Sequence, residues 1–408
     1  MRSTPSVPSM LAAFVTVLAA ALPAQAQRLP RLDIHPGEVT VSGLSSGGYM
    51  AVQFQIAHSA SVAGAGVIAG GPFRCAAPFA GSVFFPFAGQ ATAMSLCSCS
   101  GDVLGGKAGR DACTVNNETA TAAHVWLPLV SVEWMRWFDR ADWVDPRSHL
   151  AGHRVWLFSG AADRTVPPSL VRALRDFYTS RAVGIDPARV RLVDALPDAA
   201  GAPRVAGHGM PVLDRTRVVP CEDSAPPYLN DCGYDASGEL LRWLHPSIPA
   251  GARGTARAEG LRRFDQRPFL PARQRHGLDD TGFVYVPADC EGGAARCRLH
   301  VVFHGCRQAA GYRQGGPGSP NGEPFGDAFA RHAGYNEWAE ANRIVLLYPQ
   351  VKPADDLFLP NPRGCWDFWG YSGTADFGTK RNAQVCAVKG MIDRLVSGRP
   401  SRDACGAD

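Results

Sequence analysis

A serine flanked by glycines is the first part of this sequence that predicts chemistry. The run Gly43-Leu44-Ser45-Ser46-Gly47 follows an extended segment and opens a helix-like one. G-x-S-x-G in that context is typical of a nucleophile elbow, because its glycines permit a sharp turn that lifts the serine hydroxyl clear of a sheet edge. The same turn directs the N–H of Ser46 toward the hydroxyl. We predict that Ser45 is a nucleophile, and the alternative is a chance Gly/Ser turn.

A nucleophilic serine needs a base, and the base needs an orienting carboxylate. Asp163 follows the apolar, strand-like segment 154–158, and His208 lies between two glycines after the extended segment 190–193. We therefore predict Asp163 as the acid and His208 as the base. The alternatives are that Asp163 caps a helix and that His208 is an ordinary surface-loop histidine. His153 is a weaker candidate, because it precedes its strand.

A second strand leads into a His-Gly loop. Segment 299–303 is apolar and is followed by His304, Gly305 and Cys306. Ester chemistry needs a second donor for the oxyanion, and this loop is placed to supply one. The alternative is a metal cluster of His300, His304 and Cys306, which are ligand types that zinc accepts. We expect a disulfide at Cys306 instead, and neither a metal nor a cofactor.

The elements that must position these groups alternate between strand and helix, as in an α/β protein. The stretch 75–145 breaks the pattern with Gly, Cys and aromatic residues, and 246–260 is a linker rich in Pro, Gly, Ala and Arg. The predicted strands are 38–41, 62–69, 154–158, 190–193, 282–286, 299–303 and 344–348, and the predicted helices are 46–58, 130–138, 170–179, 237–244, 335–342 and 384–395.

The order of these elements predicts a circular permutation. If helix 384–395 is joined to segment 31–41, the order becomes strand, His-Gly loop, helix, strand, helix, elbow, acid, histidine. That is the usual order in α/β-hydrolases. We therefore predict a circularly permuted α/β-hydrolase with a mostly parallel central sheet. It would form a single domain over residues 27–408, with halves 27–245 and 261–400 joined by linker 246–260.

Composition excludes several classes of protein. The 408 residues are 46% hydrophobic and 19% charged, which is enough apolar material for a large core and argues against disorder. With 41 basic and 37 acidic residues and no basic run, we expect no nucleic-acid partner. The 44 glycines and 32 prolines predict many turns and shaped loops, where functional residues concentrate.

The first 26 residues have the order of a secretory signal peptide. Arg2 precedes an apolar run that ends in Ala24-Gln25-Ala26, and the run is too short for a membrane span of ~20 residues. We predict residues 1–26 as a signal peptide, a mature chain from Gln27, and secretion to the extracellular space or a periplasm. We expect no membrane span.

Twelve cysteines lie in the predicted mature chain, and an oxidising compartment makes six disulfides the natural expectation. Spacing favours Cys221 with Cys232 and Cys290 with Cys297, and leaves the other pairings open. Asn117 begins a sequon whose use depends on the host.

Motifs spread over nearly all of the predicted mature chain match those of a known family: GLSSGGYM at 43–50, AGGP at 69–72, SGAAD at 159–163, PYLNDCGYD at 227–235, VVFHGC at 301–306, GYNEW at 334–338, LYPQ at 347–350 and GCWD at 364–367. The chain resembles the extracellular poly(3-hydroxybutyrate) depolymerases with a permuted α/β-hydrolase fold. The resemblance implies a triad of Ser45, Asp163 and His208, and an oxyanion hole from the N–H groups of Ser46 and Cys306. It also implies a disulfide between Cys306 and Cys365.

Two features depart from the family pattern. The family carries a crevice tryptophan two places after Cys-Trp, where this chain has Phe368, with Trp369 beside it. Many bacterial members also append a linker and a polymer-binding domain, whereas three residues follow Cys405 here. We therefore expect the grip on a solid polymer to come from the catalytic face.

These observations predict a serine esterase that hydrolyses aliphatic polyesters through an acyl-enzyme and acts as a monomer. An apolar, uncharged chain fits a crevice lined by aromatic side chains, although these residues could instead belong to the core. One alternative is a secreted carboxylesterase for feruloyl or acetyl esters, and another is a non-catalytic polymer-binding protein. The predicted lining residues are Tyr49, Trp366, Phe368, Trp369 and Tyr371.

Overall fold

A computed structural model describes residues 26–77, 86–99, 117–197, 203–293, 295–314, 322–356, 359–373 and 375–398. Within these residues, one main sheet has eight strands. In chain order the strands are β1 Ile34–Leu44, β2 Gly64–Ile68, β3 Arg154–Phe158, β4 Val190–Val193, β5 Leu261–Asp265, β6 Thr281–Tyr285, β7 Cys297–Phe303 and β8 Ile344–Tyr348.

The order of strands across the sheet brings the two halves of the chain together. That order is β5-β6-β8-β7-β1-β2-β3-β4. All neighbours from β8 to β4 are parallel, while β5, β6 and β8 pair in antiparallel fashion at one edge. The predicted mostly parallel sheet is therefore confirmed. The first four strands form one side of it and the last four form the other, so the halves meet where β7 pairs with β1.

Helices pack on this sheet, and two of them begin at side-chain caps. Asp235 Oδ1 accepts from Gly238 N, and Asn382 Oδ1 accepts from Gln384 N, as N-caps do. The helices are α1 Ser46–Ala57, α2 Pro86–Ser95, α3 Asn117–Arg140, α4 Pro168–Thr179, α5 Ala236–Leu244, α6 Ala328–His332, α7 Tyr335–Asn342 and α8 Ala383–Ser397. Every residue of α1 is buried, which makes it the central helix of the molecule.

Short strands outside the main sheet shape the loops. They pair Leu196–Pro197 with Pro203–Arg204, Leu229–Asp231 with both Met210–Val212 and Val219–Pro220, and Ala354–Asp356 with Leu359–Asn361. The 3-10 turns are Arg147–Gly152, Pro187–Arg189, Ala258–Gly260, Arg267–Phe269 and Ala288–Gly293.

The last turn of α8 holds the segment that leads into β1. The N–H of Leu32 donates to the carbonyl oxygen of Leu395 over 2.9 Å. Nε of Arg394 donates to the carbonyl oxygen of Leu29, also over 2.9 Å. Segments that are more than 360 residues apart in sequence are thus direct neighbours.

Most predicted elements lie within a few residues of the observed ones, and the misses have physical reasons. The helix predicted at 130–138 is longer than expected and extends over Asn117–Arg140, with Pro128 inside it, a residue type that ordinarily breaks a helix. Strand β5 was not predicted. It is an edge strand in which three of the five residues are charged and only Phe264 is fully buried, so its sequence lacks an alternating apolar pattern. Helix α2 was not predicted either. It lies close to the backbone of a distant segment, because its Gly89 packs against the carbonyl oxygen of Trp369.

Four disulfides join described cysteines. They are Cys75–Cys97, Cys221–Cys232, Cys290–Cys297 and Cys306–Cys365. The two pairs proposed from spacing and the pair implied by the resemblance are confirmed. Cys99 and Cys386 are also disulfide-bonded. The predicted signal peptide lies outside the described residues except for Ala26, and no helix within the described residues is long and apolar enough to cross a membrane.

We predict that Gly47→Ala will destabilise the protein. A Cβ at this position would lie 2.3 Å from the carbonyl oxygen of Phe303 and 2.5 Å from that of His304, so backbone has to move. We expect the free energy of unfolding to fall by about 1–3 kcal/mol in urea titrations. Gly152→Ala is the control, because a Cβ there meets no atom within 4 Å. Equal urea midpoints for the two variants would contradict the prediction.

Candidate active site

Ser45 occupies a strained turn between β1 and α1. Its backbone angles are φ 57° and ψ −121°, a sparsely populated region that costs a non-glycine residue on the order of 1–3 kcal/mol. The turn is held on both sides, because Ser45 N–H donates to Ile68 O over 2.9 Å and Ser45 O accepts from Tyr49 N over 3.0 Å. The serine is only partly buried. This is the geometry that the G-x-S-x-G motif predicts for an elbow.

Asp163 and His208 form a buried pair beyond the ends of their strands. His208 Nδ1 lies 2.8 Å from Asp163 Oδ2, and the other carboxylate oxygen accepts from the N–H groups of Thr165 and Val166 over 2.8 Å each. Because a carboxylate only accepts hydrogen bonds, a neutral imidazole in this position has its proton on Nδ1 and its lone pair on Nε2. Helix α4 begins after Pro167, so Asp163 does not cap it.

The loop that carries His208 is tied down by a neighbouring disulfide-bonded loop. The N–H of His208 donates to Ser224 Oγ over 2.8 Å, and the N–H of Gly207 donates to the carbonyl oxygen of Cys221 over 2.8 Å. Nδ2 of Asn230 donates to the same carbonyl over 2.9 Å. These hydrogen bonds hold the backbone of the loop in place despite its two glycines, and the residue His208 is only 5% exposed.

The His-Gly loop has a side-chain brace and an unused amide. The N–H of Gly305 donates to Gln308 Oε1 over 2.7 Å, and Gln308 Nε2 donates to the carbonyl oxygen of Pro227 over 2.8 Å. Cys306 is joined to Cys365 by a disulfide. Among the described residues, no acceptor lies within hydrogen-bond distance of Cys306 N–H.

The elbow and the His-Gly loop touch through their backbones. A Cβ on Gly47 would collide with the carbonyl oxygens of Phe303 and His304, so only glycine allows this approach. Ser46 N–H is the first amide of α1 and has no acceptor within the helix. Two unpaired N–H groups, those of Ser46 and Cys306, thus lie on adjoining backbone segments. An oxyanion hole needs two such donors, and these are the two that the sequence predicts.

A bridge between the His208 and His-Gly loops was missed at the sequence level. The ring of Tyr228 lies edge-on to His208 at 6.1 Å between centroids, and its hydroxyl accepts from Arg307 Nη1 over 3.2 Å. Tyr228 has a positive φ of 57°, an uncommon conformation for a residue that is not glycine. Tyr228 lies in the family motif PYLND at 227–231, but no pattern in that motif indicates this contact.

The aromatic side chains predicted to line a crevice are mostly buried. Trp366 is fully buried, with its ring 4.9 Å from that of Phe303, so it is a core residue. Phe368 stacks on Tyr49 at 4.5 Å and an interplanar angle of 11°. The hydroxyl of Tyr371 donates to the carbonyl oxygen of Cys365. Tyr49, Phe368, Trp369 and Tyr371 each expose less than a tenth of their surface, so at most their edges line a crevice.

Asp367 organises this aromatic segment. Its Oδ1 accepts from the N–H groups of Trp369, Gly370 and Tyr371, and its Oδ2 accepts from Ser372 N. Burial raises the pKa of this carboxyl group above its ordinary value. An Asp three residues before a Gly is a turn signal, and it could have identified this anchor from the sequence.

The alternative metal cluster does not form. Both ring nitrogens of His300 are hydrogen-bonded, to Thr40 and Ser42, and Cys306 is in its disulfide. Nδ1 of His304 donates to the carbonyl oxygen of Gly305, and burial lowers the pKa of His304 to about 4. In the described part of the chain, no three His, Cys, Asp or Glu side chains form a ligand group.

His153, the weaker base candidate, is a structural residue. Its Nδ1 accepts from Gln55 Nε2 over 3.1 Å, and its Nε2 donates to the carbonyl oxygen of Ser59 over 3.1 Å. Burial lowers the pKa of His153 to about 4. Since it precedes β3, it lies at the opposite end of the sheet from Asp163.

We predict that Gln308→Met will destabilise the His-Gly loop. The change removes both side-chain hydrogen bonds and leaves Gly305 N–H and Pro227 C=O without partners. We expect the free energy of unfolding to fall by about 2–4 kcal/mol, measured by chemical denaturation. Gln27→Met, at an exposed position, serves as the control. If both variants unfold like the wild type, Gln308 is not a brace.

Comparisons with known proteins place the chain in a family, although no family model matches it. A poly(3-hydroxybutyrate) depolymerase of Delftia acidovorans is 34% identical over 375 residues, covering 91% of this chain and 62% of the relative. The chain thus spans under two thirds of that protein's length. A polyhydroxybutyrate depolymerase of Talaromyces funiculosus is 30% identical over 403 residues, covering 96% of this chain and 98% of the relative.

Two solved structures have the same fold. They are a PHB depolymerase from Penicillium funiculosum and a Ser-to-Ala variant of PHB depolymerase complexed with an R3HB trimer. Each has a TM-score of 0.68 and 28% identity, and each match covers 91% of this chain and 100% of the other. The main sheet and its helices are those of an α/β-hydrolase fold. The chain belongs to the polyhydroxybutyrate depolymerase family.

Proposed function

We propose that this protein is a secreted serine esterase that hydrolyses ester bonds of poly(3-hydroxybutyrate)-type aliphatic polyesters. The observation that carries the proposal is the buried pair of His208 and Asp163, which leaves Nε2 of the imidazole with a free lone pair. The strained elbow at Ser45 supports it, and so do the names of the two sequence relatives.

The reaction proceeds through an acyl-enzyme. His208 Nε2 takes the proton of the Ser45 hydroxyl as Oγ attacks the ester carbonyl carbon, and Asp163 orients the imidazole and stabilises its charged form. The N–H groups of Ser46 and Cys306 donate to the oxyanion. Collapse of this intermediate breaks the ester C–O bond, and the leaving alkoxide takes the proton from His208. A water molecule, deprotonated by His208, then attacks the acyl carbon and regenerates Ser45.

The same proposal includes a circularly permuted single domain over residues 27–408. The contact between the end of α8 and the segment before β1 supports it, since these chain segments would be continuous in the unpermuted order. The pairing of β7 with β1 supports one domain, because both halves contribute to one sheet. The linker 246–260 covers the junction and contains one short 3-10 turn, Ala258–Gly260.

Secretion is supported by cysteine chemistry. The four described disulfides and the disulfide-bonded Cys99 and Cys386 need an oxidising compartment. Residues 1–26 provide a matching export signal in the sequence. Accordingly we propose an extracellular or periplasmic location.

A carboxylesterase for feruloyl or acetyl esters would use the same triad, and a non-catalytic polymer-binding protein would use none of it. Film erosion with sizing of the soluble products, run beside a feruloyl ester panel and the R3HB trimer, separates the three. We expect release of soluble oligomers from poly(3-hydroxybutyrate) and cleavage of the trimer. Turnover confined to feruloyl or acetyl esters would support the first alternative, and binding without turnover the second.

We predict that Ser45→Ala will abolish both ester hydrolysis and labelling by a fluorophosphonate. Without Oγ no acyl-enzyme forms, so the turnover of an activated soluble ester should fall by at least ~10³-fold. Ser61→Ala, at a partly exposed position on the surface after α1, should behave as the wild type. Activity that survives in Ser45→Ala would refute the assignment of the nucleophile.

We predict that Asp163→Asn will preserve the fold and lose most activity. The amide oxygen can still accept from Thr165 and Val166, but the amide nitrogen then faces His208 Nδ1. The imidazole proton is thereby forced to Nε2, which can no longer act as a base. We expect kcat to fall by roughly 10⁴-fold with an unchanged circular dichroism spectrum. Asp194→Asn, at an exposed site, is the control. A comparable loss in both variants would argue against a specific role for Asp163.

A further inference from the structure

A chain of hydrogen bonds is buried below the elbow, between β1 and β7. His300 Nδ1 lies 2.7 Å from Thr40 Oγ1, and its Nε2 lies 2.7 Å from Ser42 Oγ. The chain continues at both ends, from Thr40 Oγ1 to His245 Nε2 over 2.9 Å and from Ser42 Oγ to the hydroxyl of Tyr335 over 2.9 Å. Each of the five residues is 6% exposed or less. The mechanism proposed above uses none of them.

The polarity of this chain follows from its members. Burial lowers the pKa of His300 well below its ordinary value, so the ring is neutral and has one donor and one acceptor nitrogen. Suppose that the Tyr335 hydroxyl donates to Ser42 Oγ. The Ser42 hydroxyl then donates to His300 Nε2, so the ring proton is on Nδ1 and is donated to Thr40 Oγ1. The Thr40 hydroxyl in turn donates to His245 Nε2. The opposite direction would leave the buried Tyr335 proton without an acceptor among the described residues, which is costly. His300 is therefore the Nδ1–H tautomer.

One imidazole thus spans two hydroxyls of a single strand. Thr40 and Ser42 are two positions apart on β1, and His300 lies opposite Thr40 in the parallel pairing with β7. A slip of one residue would shift the strands by ~3.3 Å and turn both hydroxyls to the other face of the sheet. Ser45 follows Ser42 by three positions, and Cys306 follows His300 by six.

We propose that His300 is a positioning residue, which by bridging Thr40 and Ser42 fixes the register of the elbow strand against the strand of the His-Gly loop. It thereby sets the separation of the Ser46 and Cys306 N–H groups. The inference rests on the proposed function, because the separation matters only if these amides bind an oxyanion. An oxyanion needs donors 2.7–3.1 Å away, so displacements well below one residue reduce turnover.

The test must separate positioning from stability, since a buried polar chain could serve stability alone. The main variant combines Thr40→Val, Ser42→Ala, His300→Leu and Tyr335→Phe. It removes four of the five hydrogen-bonding side chains together, so within this chain only His245 Nε2 loses its partner. Exchange of both partners for apolar groups is nearly neutral for stability, so we expect a thermal midpoint within about 5 °C of the wild type. Ser42→Ala alone is the second variant, in case the combined one does not fold.

For a soluble activated ester, we expect the combined variant to lose about tenfold to a hundredfold in kcat, with KM changed less than about threefold. Ser42→Ala should show the same split with a smaller loss. His300→Gln, whose amide can donate to Thr40 and accept from Ser42, should recover part of the turnover that His300→Leu loses. A folded combined variant with wild-type kcat would overturn the proposal, and so would a rise in KM with kcat unchanged.

The tautomer gives a readout that does not depend on activity. In the wild type, nitrogen NMR of His300 should show a protonated Nδ1 and an unprotonated Nε2, and the reverse pattern would overturn the assigned polarity.

Failure of the proposed function would give a different result from failure of the His300 proposal. In that case the wild type and Ser45→Ala would hydrolyse the ester equally, whereas failure of the His300 proposal leaves the wild type active and Ser45→Ala inactive.

Discussion

The contact between Gly47 and the carbonyl oxygens of Phe303 and His304 is the constraint on which the site depends. It joins the start of α1 to the end of β7, and a side chain at this position would separate them. Because β1 and β7 are parallel neighbours, their carboxyl ends reach the same edge of the sheet. The amides of Ser46 and Cys306 belong to the segments that follow these two strands at that edge. The motif G-x-S-x-G thus specifies both a turn and a partner surface.

Two buried carboxylates organise the loops around this edge in the same way. Asp163 and Asp367 each accept from backbone N–H groups two to five residues further along the chain. Asp163 uses one oxygen for its loop and offers the other to His208. Asp367 uses both oxygens within its own segment, including the hydroxyl of Ser372. The two carboxylates therefore differ in one respect. One oxygen of Asp163 is available to a histidine, whereas both oxygens of Asp367 are used within its own segment.

The sequence was most informative where a residue's role follows from its neighbours in the chain. Ser45 directly follows β1, Asp163 follows β3 by a short loop, and the close cysteines Cys221 and Cys232 pair as spacing predicts. It was least informative where the partner is far away. The buried ring of Trp366 packs on that of Phe303. The hydrogen bond between Tyr228 and Arg307 joins residues that are 79 positions apart. Periodicity does not report such contacts.

The position of β1 between β7 and β2 has a consequence for how the chain folds as it is made. β1 is made some 260 residues before β7, so one of its two edges has no partner until β7 follows. Until then a central strand exposes an open edge, which favours association with other chains. The elbow also lacks its facing loop during that time. The predicted nucleophile is therefore synthesised long before the loop that faces it.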